Sequence, residues 1–170
     1  MLNPFRTLRT ARLVLTPVSG VDLADLRVLK ADPRVFAIML GGVRNAAQTA
    51  EELAADVIAW GENGYGIFAI RETADNRFAG IVGLEDRPDG RGVALRFALS
   101  PAVQGRGLGM EAASAALRFG HGRAGLTRIV AAAREANVAS RTVLGSIGMT
   151  PCEEFVQRGH AMILFESVRL

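Results

Sequence analysis

The apolar positions change period several times along the chain, and each change marks an element. Leu13-Val14-Leu15, closed by Pro17, reads as a short buried strand. Val21, Leu23, Leu26, Val28 and Leu29 then recur near helical spacing behind the capping residues Ser19 and Asp22, and this helix ends near Asp32-Pro33. A second helix is predicted from Thr49 and Glu52, which have capping-box spacing. It runs through Leu53, Val57, Ile58 and Trp60 to stops at Gly61 and Gly64.

Period two takes over next. Residues 65–70, 78–84 and 93–99 read as three strands separated by Ala74-Asp75-Asn76 and Arg87-Pro88-Asp89-Gly90, which gives an antiparallel meander. In the third, Val93, Leu95, Phe97 and Leu99 face one way and Ala94, Arg96 and Ala98 the other, so one face is more fully apolar. A helix of small and apolar residues over 108–119, a strand over 127–133, a short helix over 137–146 and strands over 149–157 and 160–168 complete the chain. The order β-αα-βββ-α-β-α-ββ, with no repeat, linker or low-complexity run, predicts an α/β (α+β) fold. One domain over residues 1–170 carries a mixed, mostly antiparallel sheet of about seven strands flanked by helices on both faces.

Composition removes several classes. The length of 170 residues suits one core, and 49% hydrophobic with 22% charged residues excludes disorder as the dominant state. No apolar run approaches the 18 or so residues of a membrane-spanning helix. The single cysteine, Cys152, permits neither an internal disulfide nor a cysteine-based metal cluster, and suits a reducing, cytoplasmic setting. Arg6, Arg9 and Arg12 precede the first acid, Asp22, as in a transit peptide, but the strand at Leu13 keeps this segment in the fold.

Net charge is only +3, yet Lys30 is the lone lysine among 20 basic residues. An arginine-biased surface suits an anionic ligand, although a genome-wide preference for arginine accounts for the bias more simply.

Two glycine clusters are candidate phosphate cradles. Gly120-His121-Gly122-Arg123-Ala124-Gly125 ends a helix and precedes a strand, the reverse of the dinucleotide-binding order, and is read as a helix cap and turn. Gln104-Gly105-Arg106-Gly107-Leu108-Gly109 follows a strand and opens a helix, where unpaired amides and the helix dipole favour an anion. The alternative is a flexible connecting loop. His121, His160 and Cys152 lack ligand spacing, so no metal site is expected; the histidines read as surface or turn residues and Cys152 as a packed thiol. Trp60 and Tyr65 read as core aromatics or acceptor-site residues.

Gln104-x-x-Gly107-x-Gly109 resembles the Q/R-x-x-G-x-G/A motif of the GNAT acyltransferase superfamily, whose members move an acyl group from acyl-coenzyme A to an amine. Thr10-x-Arg12-Leu13-x-Leu15, Asp32-Pro33-x-Val35, Glu111-Ala112, Asn137-x-x-Ser140 and Leu144-x-x-x-Gly148-Met149 are similar to the Rim-type branch, which acetylates ribosomal-protein N-termini. The likeness spans roughly residues 10–165.

The resemblance implies acetyl-CoA as co-substrate, no metal, and pyrophosphate contacts from Gln104, Gly105, Arg106, Gly107, Leu108 and Gly109. It implies a pantetheine arm beside the third meander strand near Leu99, whose neighbouring amides would stabilise an oxyanion, with Asn137 and Ser140 at the sulfur. Ser140 stands in as the thiolate donor, because the family's usual tyrosine position is Leu144 here. Relatives often have an acid where this chain has Ala94 and a glycine where it has Arg96. Glu85 on the adjoining strand is therefore the candidate base, acting through water, while Arg96 either meets an acidic acceptor or faces solvent.

The implied acceptor is a protein N-terminal amine or a small-molecule amine, with no direct nucleic-acid or membrane partner; homodimers are frequent among relatives. The other class consistent with Ala94 and Leu144 is a regulatory module that binds acyl-CoA without turning it over.

Overall fold

A computed structural model describes residues 5–170. Eight strands form one sheet in the order β1-β2-β3-β4-β5-β6-β8-β7. They are β1 (Leu8–Arg9), β2 (Leu13–Pro17), β3 (Ile67–Glu72), β4 (Phe78–Asp86), β5 (Val93–Leu99), β6 (Arg128–Arg134), β7 (Thr150–Gln157) and β8 (His160–Val168). The helices are α1 (Leu23–Ala31), α2 (Pro33–Phe36), α3 (Ala46–Asn63), α4 (Leu108–His121) and α5 (Val138–Ser146). The expected mixed, mostly antiparallel sheet is present, with one strand more than the pattern predicts. Strand β1 is two residues long, paired Leu8↔Leu15 and Arg9↔Val14, too short to register as a period.

Helix α3 also begins earlier than Thr49. Asn45 is its cap: Asn45 Oδ1 accepts from Gln48 N at 2.8 Å while Asn45 N donates to Gln48 Oε1 at 2.9 Å. Thr49 lies within the first turn, fully buried, its hydroxyl donating to Asn45 O. Alanines at 46 and 47 are good helix formers, so the first available cap wins.

The sheet is buried on both faces, which is why β3 and β4 read as nearly continuous apolar runs. On one face Phe68, Ile70, Val82 and Leu84 pack against α4 and Trp60. Edge-to-face rings of Trp60 and Phe68, 4.8 Å apart, lie in this layer. On the other, Ile67, Ala69, Ile81 and Ala98 pack against Leu26, Leu29, Phe36 and Leu53 of α1, α2 and α3. Strands β3 and β4 approach so closely that a Cβ on Gly83 would lie 2.3 Å from Gly66 O.

One junction departs from regular pairing. Strands β5 and β6 run parallel and share a single register pair, Ala94↔Val130. Beyond it they diverge toward Leu99 and Arg134, leaving a notch in the middle of the sheet. Helix α4 follows β5 and α5 follows β6, so both helices present their N-terminal ends toward the open side of that notch.

Candidate active site

Between β5 and α4 the chain makes a turn and then the glycine loop. Gln104 Nε2 donates to Leu99 O at 3.0 Å, fixing the loop to the end of β5. Gly107, at φ +77°, is the residue preceding α4, a left-handed conformation in which a Cβ is strained. Glu111 N donates to Gly107 O at 3.2 Å, and the six preceding amides, Gly105 to Met110, have no acceptor among the described residues. These unpaired N–H groups lie at the positive end of the α4 dipole, which is the chemistry of an anion cradle.

The cradle is braced by charge. Glu111 accepts from Arg12 Nε at 2.8 Å, from Arg12 N at 2.9 Å and from the Thr10 hydroxyl. Burial opposes the Glu111 carboxylate, but these bonds hold its pKa below the ordinary range. Arg12 in turn donates to Arg106 O at 2.8 Å, so the first strand reaches the loop backbone. The Arg106 guanidinium lies 2.7 Å from Glu72, whose carboxyl is held below its usual range by hydrogen bonds from Arg77 and then Arg106. Arg106 is thus not free, as its place in the motif suggests; a phosphate on the loop would share it with Glu72.

The notch itself opens into a cleft of about 270 Å³ whose lining includes Glu85, Ala94, Arg96, Asn137, Ser140 and Leu144. Asn137 caps α5, its Oδ1 accepting from Ser140 N at 3.1 Å. The Ser140 hydroxyl has no partner among the described residues and is available to a ligand. Leu144 is buried, so this wall is apolar where a phenol would supply a proton. Leu99 and the glycine loop are not part of the cleft wall; Phe97, the last β5 residue lining it, is two residues or roughly 7 Å of strand from Leu99.

Glu85 forms an ion pair with Arg96. The register pairs Glu85 with Ala94 and Gly83 with Arg96, so the two side chains are diagonal neighbours on the face carrying α1, α2 and α3. Arg96 therefore has an intramolecular acid, and Glu85 is a held carboxylate rather than a lone one.

A further acid on this face escapes the sequence pattern. Asp56 on α3 is half-buried, and burial pushes its pKa up to about 6. Lys30 and Arg96 oppose the shift, while Glu85 and Glu52 add to it. The one local signal is its spacing of four from Glu52, which places both on one side of the helix. Glu52 itself is bonded to the buried Lys30 at 3.0 Å and to Arg44 at 2.9 Å.

Other candidates resolve simply. Trp60 is core, its indole donating to Ile67 O at 2.7 Å, and Tyr65 donates to Asp86 at 2.9 Å. Both nitrogens of His121, the last residue of α4, are engaged, with Leu126 O and Ser167 Oγ. His160 is the first residue of β8 and lines the cleft. Cys152 is exposed on the edge strand β7, not packed, and partial burial followed by Glu166 pushes its thiol pKa up, away from a reactive thiolate. Among the described residues no group of three or more His, Cys, Asp or Glu is placed to hold a metal ion, and no helix is long and apolar enough to cross a membrane.

A family model described as an acetyltransferase (GNAT) domain matches residues 12–150. The chain belongs to this family. Among solved structures, an acetyltransferase from Agrobacterium tumefaciens is similar at 25% identity, covering 96% of this chain and 94% of that one, with a TM-score of 0.83. A ribosomal-protein-S5-alanine acetyltransferase from Vibrio fischeri shares the fold at 16% identity, 95% and 96% coverage and a TM-score of 0.80. So does a ribosomal L7/L12 α-N-protein acetyltransferase in complex with coenzyme A, at 18% identity, 95% and 97% coverage and a TM-score of 0.79. In this GNAT chain the unpaired amides follow the C-terminal end of the half-free strand β5, whose residues 94–97 line the cleft.

Proposed function

We propose that the protein transfers the acetyl group of acetyl-CoA to a primary amine by direct attack on the thioester. The single observation that carries this reading is the run of six unpaired amides at the start of α4, joined through β5 to a cleft containing an unpartnered serine. The amides of Gly105, Arg106, Gly107, Leu108 and Gly109 take the pyrophosphate, with Gln104 fixing the loop to Leu99. Past Ala94, the free edge of β5 accepts the pantetheine amides as a neighbouring strand would. A structural neighbour solved with coenzyme A supports the choice of carrier.

At the cleft the amine nitrogen bonds to the thioester carbon, giving a tetrahedral oxyanion near amides of β5, and the carbon–sulfur bond then breaks. Asn137 and Ser140 lie at the sulfur end, where the N-terminus of α5 favours a thiolate and the Ser140 hydroxyl donates to it. Glu85, oriented by Arg96, takes the amine proton through water. The acceptor is a protein N-terminal amine, as for the ribosomal-protein acetyltransferases of this fold, or a small amine.

The test is release of free thiol from acetyl-CoA with a panel of amines. Turnover is expected, and Ser140→Ala should lower kcat about 10- to 100-fold while coenzyme A affinity stays within about twofold. Tight coenzyme A binding without thiol release from any amine would instead identify an acyl-CoA-binding regulatory module.

A further inference from the structure

The charge around the cleft is one-sided. Its lining residues include four arginines, Arg87, Arg96, Arg134 and Arg158, and a single acidic residue, Glu85. Two of these cations are answered within the chain: Arg87 lies 2.7 Å from Asp89, and Arg96 pairs with Glu85. The side chains of Arg134 and Arg158 have no ion-pair or hydrogen-bond partner among the described residues. Arg134 ends β6 opposite Met162, only three residues before Asn137, and is partly buried. Arg158 projects from the β7–β8 turn, where it holds φ at +50°.

Arg134, partly buried without a counter-ion, gives up hydration and receives nothing from the fold in return, whereas Arg158 is exposed. Arg134 and the exposed Arg158 line the same cleft, and two unanswered guanidinium groups there make a donor set matched to a carboxylate. We infer that the amine acceptor carries a carboxylate close to its amine, bound by Arg134 and Arg158 while the amine faces Ser140. This rests on the acetyl-transfer reading above. The cleft, at about 270 Å³, is near the lower end of the roughly 300–1,000 Å³ of most small-ligand pockets, so it suits an acceptor whose two groups lie within one or two residues of each other.

The same field helps the chemistry. Nearby positive charge disfavours an ammonium and so favours the neutral amine that attacks. It also repels amines that bring no anion of their own, which sets specificity by exclusion as well as by attraction.

Two sources supply such a carboxylate: a free amino acid, or an acidic side chain next to the amino terminus of a peptide. They are separated by binding unreactive products to the coenzyme A-saturated protein in protein-observed NMR titrations. One pair is N-acetylalanine against N-acetylalaninamide; the other is amidated acetyl-seryl-glutamate against amidated acetyl-seryl-glutamine.

In at least one pair the carboxylate should bind tenfold or more tighter than its carboxamide, and the pair that discriminates names the source. Arg134→Gln with Arg158→Asn, the latter chosen because asparagine tolerates the left-handed turn, should reduce the ratio to twofold or less with melting temperature unchanged. Arg134→Lys with Arg158→Lys should restore part of it. Equal binding within both pairs, no measurable binding of any of the four, or discrimination that survives the neutral double variant overturns the inference. Because these readouts need no turnover, they stand apart from the thiol-release assay: discrimination without thiol release would sink the transferase reading and leave the carboxylate site intact.

Discussion

Asp56 is a group the fold holds against its preference, and replacing it by asparagine isolates that cost. Its pKa is displaced from 3.8 to about 6, with burial the largest cause and Lys30 the main opposing charge. At 1.36 kcal/mol per pH unit this corresponds to roughly 3 kcal/mol. The folded protein binds this proton more tightly than the unfolded chain does. Stability from this group is therefore highest below about pH 4, falls as pH rises to 6, and stays low above that.

Asp56→Asn keeps the shape and removes the charge, so it should raise stability by up to about 3 kcal/mol at pH 8 and by almost nothing near pH 4. Near this chain length about 2–4 °C accompanies each kcal/mol, so thermal melts at whole pH values from 4 to 8 resolve the effect. The difference between variant and parent must open between pH 4 and 6. A constant offset at all pH values, or a lower melting temperature at pH 8, would mean that Lys30 and Arg96 outweigh burial and that the reasoning is wrong.

Three further outcomes follow from the loop and the sheet. Gly107→Val places a branched residue at φ +77° and narrows the anion cradle, so coenzyme A affinity measured by calorimetry should fall at least tenfold. Glu111→Ala releases both Arg12 and Thr10, and chemical denaturation should report a loss of about 1–3 kcal/mol together with weaker coenzyme A binding. Gly83→Ala drives a methyl into the backbone of the neighbouring strand, so it should lower stability by about 3 kcal/mol or more in the same assay, or prevent folding.

Much of the fold was legible because both of its periods are strong. The meander strands emerge from alternation and turn residues, and α4 from a run of small apolar residues behind Gly107. The glycine loop was legible for the same reason, since a strand-to-helix junction leaves its amides unpaired. Strand β1 was not, because two residues carry no period. The start of α3 was misplaced because Asn45-Gln48 and Thr49-Glu52 both satisfy the same local rule, and only the observed bonds choose between them. What the sequence conceals most is pairing at a distance. Glu72 meets Arg106 across 34 positions, and Asp56 acquires its environment only when α3 lies over Glu85 and Arg96. The Glu85–Arg96 pair is an intermediate case, since a correct meander register makes those two positions diagonal neighbours.

The lone rung between Ala94 and Val130 has a consequence for how the molecule avoids its own kind. An outer strand with vacant hydrogen-bonding groups invites other chains to add to it. Here a vacancy lies in the interior of the sheet, with a helix start following each of the two strands that flank it. On the acetyl-transfer reading a slender cofactor arm would lie along this interior gap, while addition of a second polypeptide is left to the outer strands β1 and β7.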